Sequence, residues 1–181
     1  ALFWVDVGVL VFALGYLAYN KFVAEPKEEE AASELTLAQE NFTTALESSN
    51  ETLKDSLYNV ALEGSQGKYG LLDIADNYGS TKAGNLAHYY AGMSYLETKD
   101  YQNAIAHLQE FSADDQMLAP LAKGAIGDAF MQLGQAGEAL DYYEKAFATS
   151  TNDFTTPRFL FKAGVAAIDF VPHRINIGLN A

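Results

Sequence analysis

The sequence predicts an all-α fold, with one N-terminal transmembrane helix followed by a right-handed solenoid of α-hairpins. Three observations carry that prediction. The stretch Ala1 to Tyr19 is almost continuously apolar. From Ala31 onward, apolar residues recur at helical rather than strand spacing. A pattern of small and aromatic residues then repeats after 35 positions. Only four prolines are present, and alanine, leucine, glutamate and tyrosine are abundant, which favours helix over sheet.

Composition narrows the function. The 181 residues suffice for one domain with a real core plus an appendage. There is no cysteine, which excludes disulfides, thiolate metal sites and a cysteine nucleophile. Acidic residues outnumber basic ones 24 to 11, for a net charge of −13. Such a surface repels phosphate backbones and anionic lipid, so no nucleic-acid partner is expected. Ala1 rather than Met leads the chain, so a longer gene product is expected, with upstream charges that would set membrane orientation.

Residues 1–23 read as a transmembrane anchor and residues 24–30 as an acidic juxtamembrane collar. A spanning helix needs about 20 apolar residues at roughly 1.5 Å rise each. Trp4 at one end, and Tyr16 and Tyr19 at the other, suit the two interfacial belts, and Lys21 can reach the headgroups. The segment Glu25-Pro26-Lys27-Glu28-Glu29-Glu30 must lie in water. A signal peptide would have a shorter apolar core and a small-residue cleavage site, for which Ala18-Tyr19-Asn20 is poor. Asp6 is either a carboxylate reaching the interface or a polar contact to another membrane helix. Gly8 and Gly15 share a face and are candidate membrane-helix contacts, without the tighter GxxxG spacing.

Residues 31–80 form a helical stalk and a first degenerate hairpin. Ala31, Leu35, Ala38, Phe42, Ala45 and Leu46 fall on one helical face that can run on from the anchor. Ser48-Ser49-Asn50 ends it, and Leu53, Leu57, Val60 and Ala61 start a second face. Tyr69, Leu72, Ile74, Ala75 and Tyr78 make a short third segment, after which Gly79-Ser80-Thr81 offers an N-cap. Gly64-Ser65-Gln66-Gly67-Lys68 lacks the four-residue glycine gap of a phosphate loop, and Tyr69 stands where a magnesium-binding hydroxyl belongs.

Residues 82–170 hold the repeat, divided into 82–112, 117–149 and a partial copy over 157–170. The first copy is His88-x2-Ala91-Gly92-x2-Tyr95 followed by Ala104-x3-Leu108. The second is Lys123-x2-Ile126-Gly127-x2-Phe130 followed by Ala139-x3-Tyr143 and Ala146. A third start, Leu160-x2-Ala163-Gly164-x2-Ala167, comes 37 residues after the second. Antiparallel helices meet closely only where side chains are small. Gly92 with Ala104, and Gly127 with Ala139, are therefore expected at the crossings, with Tyr95 and Phe130 filling the grooves and Gly164 prepared for the same role. The tail 171–181, broken by Pro172 and Gly178, is expected to be irregular, either an end cap or a truncated continuation.

This spacing resembles the tetratricopeptide repeat, although His88, Lys123 and Leu160 replace its first-helix tryptophan and Ser150-Thr151-Asn152 stands where its closing proline belongs. The whole layout of anchor, acidic collar, alanine-rich helix and degenerate hairpins resembles the YfgM-type family of ancillary Sec translocon subunits. Lys82-Ala83-Gly84-Asn85-Leu86-Ala87-His88-Tyr89-Tyr90-Ala91-Gly92 and Lys123-Gly124-Ala125-Ile126-Gly127-Asp128-Ala129-Phe130 look like its versions from Bacteroidota-like bacteria. The resemblance implies a single-pass inner-membrane protein with its repeats in the periplasm. It would stand beside translocon subunits and a membrane-anchored periplasmic chaperone, helping clients leave the channel. An accessory or assembly subunit of another bacterial membrane complex, respiratory or secretory, shares the same features.

In such arrays the first helix of each hairpin lines the concave wall. That places Leu86, Tyr89, Met93, Leu96 and Glu97 there from the first copy, and Leu121, Asp128, Met131 and Gln132 from the second. Phe161 is the candidate from the third start, beside Arg158, Val165 and Asp169. Apolar, methionine and acidic groups together suit an adaptable peptide or helix groove. The same apolar residues also suit simple packing between hairpins, and the polar ones a solvated face. Asp55-Ser56-Leu57 looks like an extracytoplasmic O-glycosylation acceptor but reads more simply as a solvated helix start.

No catalytic residue, cofactor or metal is expected. The histidines at 88, 107 and 173 form no HExxH, and His88 and His107 are expected on different helical faces. No GxSxG occurs, and Glu28-Glu29-Glu30 and Asp114-Asp115 read as solvated runs.

Overall fold

The computed structural model describes the backbone of residues 2–149 and 151–179, and the side chains of residues 7–149 and 151–170. The described residues are predominantly helical, and no strand occurs among them. Their nearest approach to sheet is a lone antiparallel bridge between Ser65 and Lys68. That bridge closes a tight turn in which Gly64, Gln66 and Gly67 all take positive φ.

Helix α1 (Leu2–Tyr19) passes through a π-helical segment (Asn20–Ala24) into α2 (Glu25–Glu47). Pro26 lies at the start of α2, next to the π-helical segment, where the irregular turn accommodates a residue without an N–H donor. The helix from Val7 to Glu47 is long and apolar enough at its start to cross a membrane, and none of its apolar window is buried within the molecule. Phe12 is 78% exposed and Leu17 61%. Lys21 and Glu25 pair across one turn at 3.0 Å where the apolar stretch ends. Asp6 lies outside the described side chains. Added Cβ atoms at Gly8 and Gly15 would meet nothing within 4 Å.

The polar half of this helix is gripped by the body of the protein. Ala31, Leu35, Ala38, Phe42 and Ala45 make one buried stripe at spacings of three and four. They pack against α3 (Glu51–Glu63), α4 (Leu71–Tyr78) and α5 (Lys82–Glu97). A single apolar cluster runs from Ala31 to Ala91, so the stalk and the start of the repeat share one core. At its edge the Glu28 carboxylate accepts the backbone N–H groups of Lys82 at 2.8 Å and Ala83 at 3.1 Å. These are orphan donors at the N-terminus of α5, where a negative charge is favoured. The Thr81 hydroxyl takes a third, from Gly84, at 2.9 Å. Further along, Gln39 donates to the Tyr90 hydroxyl at 2.9 Å, so α5 runs parallel to α2.

Helix α6 (Tyr101–Glu110) turns back on α5, α8 (Ala136–Thr149) turns back on α7 (Leu118–Gln132), and α9 (Thr155–Leu179) packs on both α7 and α8. Lys99 and Gly134 supply the positive φ values at the two hairpin turns. Two glycines stand at close helix contacts. A Cβ on Gly92 would lie 2.5 Å from Leu108 Cγ and 3.1 Å from the Ala104 carbonyl oxygen. A Cβ on Gly127 would lie 2.5 Å from the Tyr143 ring. Ala104 and Ala139 are wholly buried. Tyr95 lies beside the His107 ring, and Phe130 stacks on Tyr142 with centroids 5.5 Å apart.

The third copy differs. Nothing lies within 4 Å of a Cβ on Gly164, and Leu160, Phe161, Val165 and Ile168 are exposed. The opposite face of α9 buries Phe159, Ala163 and Ala166, with Phe159 seated on Gly124. The backbone of α9 stays helical to Leu179. An irregular segment expected from Pro172 and Gly178 is therefore not what the described backbone shows. A proline deletes one N–H donor and strains one turn, which kinks a helix without having to end it.

The glycines separate two physical roles. Gly127→Val is expected to lower unfolding stability by about 1–3 kcal/mol, because the added carbons overpack against Tyr143. Gly164→Ala is expected to raise it by about 0.5–1 kcal/mol, since the site is open and alanine is the better helix former. Urea titrations of the full chain in detergent, followed by circular dichroism, check both.

Candidate protein-binding groove

The C-terminal turns of α5 and α7 converge on the middle of α9, and a groove of about 620 Å³ opens between them. Leu96, Glu97, Lys99 and Tyr101 line it from the first hairpin. Asp128, Met131 and Gln132 line it from α7, with Tyr143 and Lys162 contributed by α8 and α9. The parallel run of first helices produces this convergence. Residues Leu96 and Glu97 stand 35 positions before Met131 and Gln132, the repeat length read from the sequence.

Its acidic groups are matched from outside the groove's own pattern. Lys54 of α3 reaches Glu97 at 2.8 Å. The hydrogen bond to Glu97 is the largest of the effects that hold the Lys54 ammonium above its usual pKa. Lys162 of α9 meets both Asp128 oxygens, at 2.5 and 2.6 Å. The Tyr143 hydroxyl donates to Asp128 at 2.7 Å. Burial first, and the Asp128 hydrogen bond second, push the Tyr143 phenol far above its ordinary pKa, so it remains a donor at any physiological pH. Lys99 makes no ion pair among the described residues and is exposed at the rim. The groove therefore offers Met131 and Leu96 as soft apolar surface, Gln132 as an adaptable donor and acceptor, and Lys99 as an unmatched cation.

Of the concave-wall candidates, Leu96, Glu97, Asp128, Met131 and Gln132 come together here. The others do not line this groove. Tyr89 is buried against Tyr90 and Phe111, with ring centroids 5.6 and 5.1 Å away, in the cluster that joins α5 to α7. Leu86 and Met93 pack half-buried on that cluster, and Leu121 does so on the next one. Neighbouring helices pack against these positions. Phe161 stands exposed on α9, away from the groove lining. A second hollow of about 450 Å³, between Phe111 and Ser112 on one side and Lys123 and Tyr142 on the other, marks the α6–α7 junction. Ser56 is exposed on α3.

Periodicity missed a histidine pair. His88 was expected on a different face from His107, yet their Nδ1 atoms are 3.2 Å apart. The return of α6 on α5 brings them together one turn from the Gly92 crossing. The signal was present, since His88 precedes Gly92 by four residues and His107 follows Ala104 by three. Reading it required pairing the two helices in space. Burial lowers the His107 pKa first and the His88 charge lowers it further, against opposing pulls from Asp76 and Glu110. No group of three or more histidine, aspartate or glutamate side chains suited to a metal occurs among the described residues.

The second hairpin carries the comparison with known proteins. Residues 122–153 match the family model of the tetratricopeptide repeat. No curated protein matches the chain. The matched span begins inside α7 and ends just before α9, so it takes in the Gly127 crossing, Asp128 and Tyr143. The hairpin α5–α6 reproduces the same crossing 35 residues earlier. Tetratricopeptide repeats generally mediate contacts between proteins, which agrees with a scaffold rather than a catalytic reading.

Two outcomes test this geometry. Asp128→Ala leaves the half-buried Lys162 ammonium without its partner and is expected to cost about 1–3 kcal/mol, measured by urea unfolding. The lowered His107 pKa means that the unfolded chain takes up a proton first as pH falls. Its contribution to stability is thus fully present above about pH 6.5 and is lost as pH drops from there towards the folded-state value. The fall in Tm between pH 7 and pH 5 is accordingly expected to be smaller in His107→Gln than in the parent chain.

Proposed function

We propose that this chain is a membrane-anchored scaffold that holds a partner protein in the groove between α5, α7 and α9. The observation that carries the reading is the continuity of the apolar helix α1 with a stalk that is clamped, through Glu28, to the first helix of the repeat. Glu28 stands nine positions after Tyr19, which is about 14 Å of helix. With α1 in a bilayer, the groove-bearing array would stand just above the surface. A partner docking there would be a membrane complex or a chain leaving one.

Within that reading, the finer role is an ancillary subunit of the Sec translocon in the bacterial inner membrane, with the repeats in the periplasm and a membrane-anchored chaperone as neighbour. Its support is the layout of anchor, acidic collar and degenerate repeats, together with the acidic charge of −13 that keeps the array off anionic lipid.

Photo-crosslinking in cells, with probes at Gln132 in the groove and Gly15 in α1, tests both levels. Crosslinks from Gln132 to translocon subunits or a periplasmic chaperone, joined by Gly15 crosslinks to membrane helices of the same complex, are expected. Crosslinks dominated by a different membrane complex would retain the scaffold and remove the translocon role. A Gln132 probe that captures no protein would remove the groove.

A further inference from the structure

The imidazoles of His88 and His107 sit on two different helices that are locked together one turn away. Gly92 lets Leu108 close over α5 there, and the Tyr95 ring lies beside His107 with centroids 5.5 Å apart. The two Nδ1 atoms are held 3.2 Å apart, with the ring centroids 5.3 Å apart and the planes inclined by 38°. Both residues are half-buried.

We propose that His88 and His107 form a two-nitrogen chelate for a borderline transition-metal ion of the Zn²⁺ or Ni²⁺ type, with water completing its coordination. The separation suits the task. Two imidazole nitrogens bonded at about 2.0–2.1 Å to a tetrahedral ion lie about 3.3 Å apart. A neutral pair at this distance can share one Nδ1 proton, donated by one ring to the other. Moving that proton to Nε2 of its own ring frees both Nδ1 lone pairs, with no proton gained or lost overall. Neutral His107 supplies its Nδ1 lone pair as the second ligand. Asp76 from α4 and Glu110 from α6 add negative charge beside it, and the whole chain, at −13, concentrates cations near its surface. Two ligands make a modest site, but these two are pre-placed on a packed hairpin, so little ordering is lost on binding.

Isothermal titration of ZnCl₂ and of NiCl₂ into the full, tag-free chain in detergent micelles at neutral pH tests the proposal. One ion per chain is expected. Affinity should fall at least about ten-fold in His88→Gln and in His107→Gln, because loss of either nitrogen abolishes the chelate. His173→Gln should bind as the parent does. Binding should also weaken towards pH 5, where protons compete for the rings. Imidazole ¹⁵N spectra of the unmutated chain supply a readout that does not depend on the variants folding, with Nδ1 resonances moving on Zn²⁺ addition. Absence of saturable binding, binding that survives both single substitutions or follows His173, or Nδ1 resonances that stay in place would each overturn the site.

Discussion

At Gly92 and Gly127 two antiparallel helices approach so closely that no side chain fits between them. Leu108 and Tyr143 occupy the space that a Cβ would need. Much of the molecule follows from that close contact. It sets the distance within each hairpin, and so decides which faces remain to be covered by the next one. It also reaches the groove directly, since Tyr143, packed over Gly127 on one side, donates its hydroxyl to Asp128 on the other. Asp128 then holds Lys162 of α9. Packing and groove chemistry thus share a residue, and the third copy is positioned by a polar bond as well as by Phe159 seated on Gly124.

A second constraint ties the repeats to the anchor. The N-terminus of α5 presents N–H groups without helical partners, and the stalk answers two of them with the Glu28 carboxylate, beside the Thr81 hydroxyl that caps a third from the helix's own loop. Because α2 continues α1, any tilt of the apolar helix must be transmitted to α5 or absorbed at the π-helical segment Asn20–Ala24. A π-helical turn inside a long helix is a natural place for such adjustment. The acidic collar, which composition presents as a solvated run of charge, therefore has one member with a structural partner fifty-four residues away.

Legibility followed the range of the interaction. The helical stripe Ala31, Leu35, Ala38, Phe42 and Ala45 could be read directly, because a buried face imposes its period on its own segment. The crossings could be read because a 35-residue repeat states each one twice. The groove was only partly legible. Period placed Tyr89 and Glu97 on the same wall, yet the next hairpin buries Tyr89 against Phe111 and leaves Glu97 open to Lys54. Counting along a helix gives the face and not what comes to cover it. For the same reason His88 and His107 read as unrelated until the hairpin closed.

By itself the sequence determined an all-helical chain, an apolar first helix and the acidic surface. Each of these is set by spacing or composition within a short stretch, where steric bulk and hydrophobicity act on neighbours. Tertiary structure alone decided that stalk and repeat share one core, that Glu28 caps a distant helix, that Asp128 is matched by Lys162 and that two histidines meet. These contacts join residues far apart in the chain, and their partners are chosen by how helices stack rather than by any local preference.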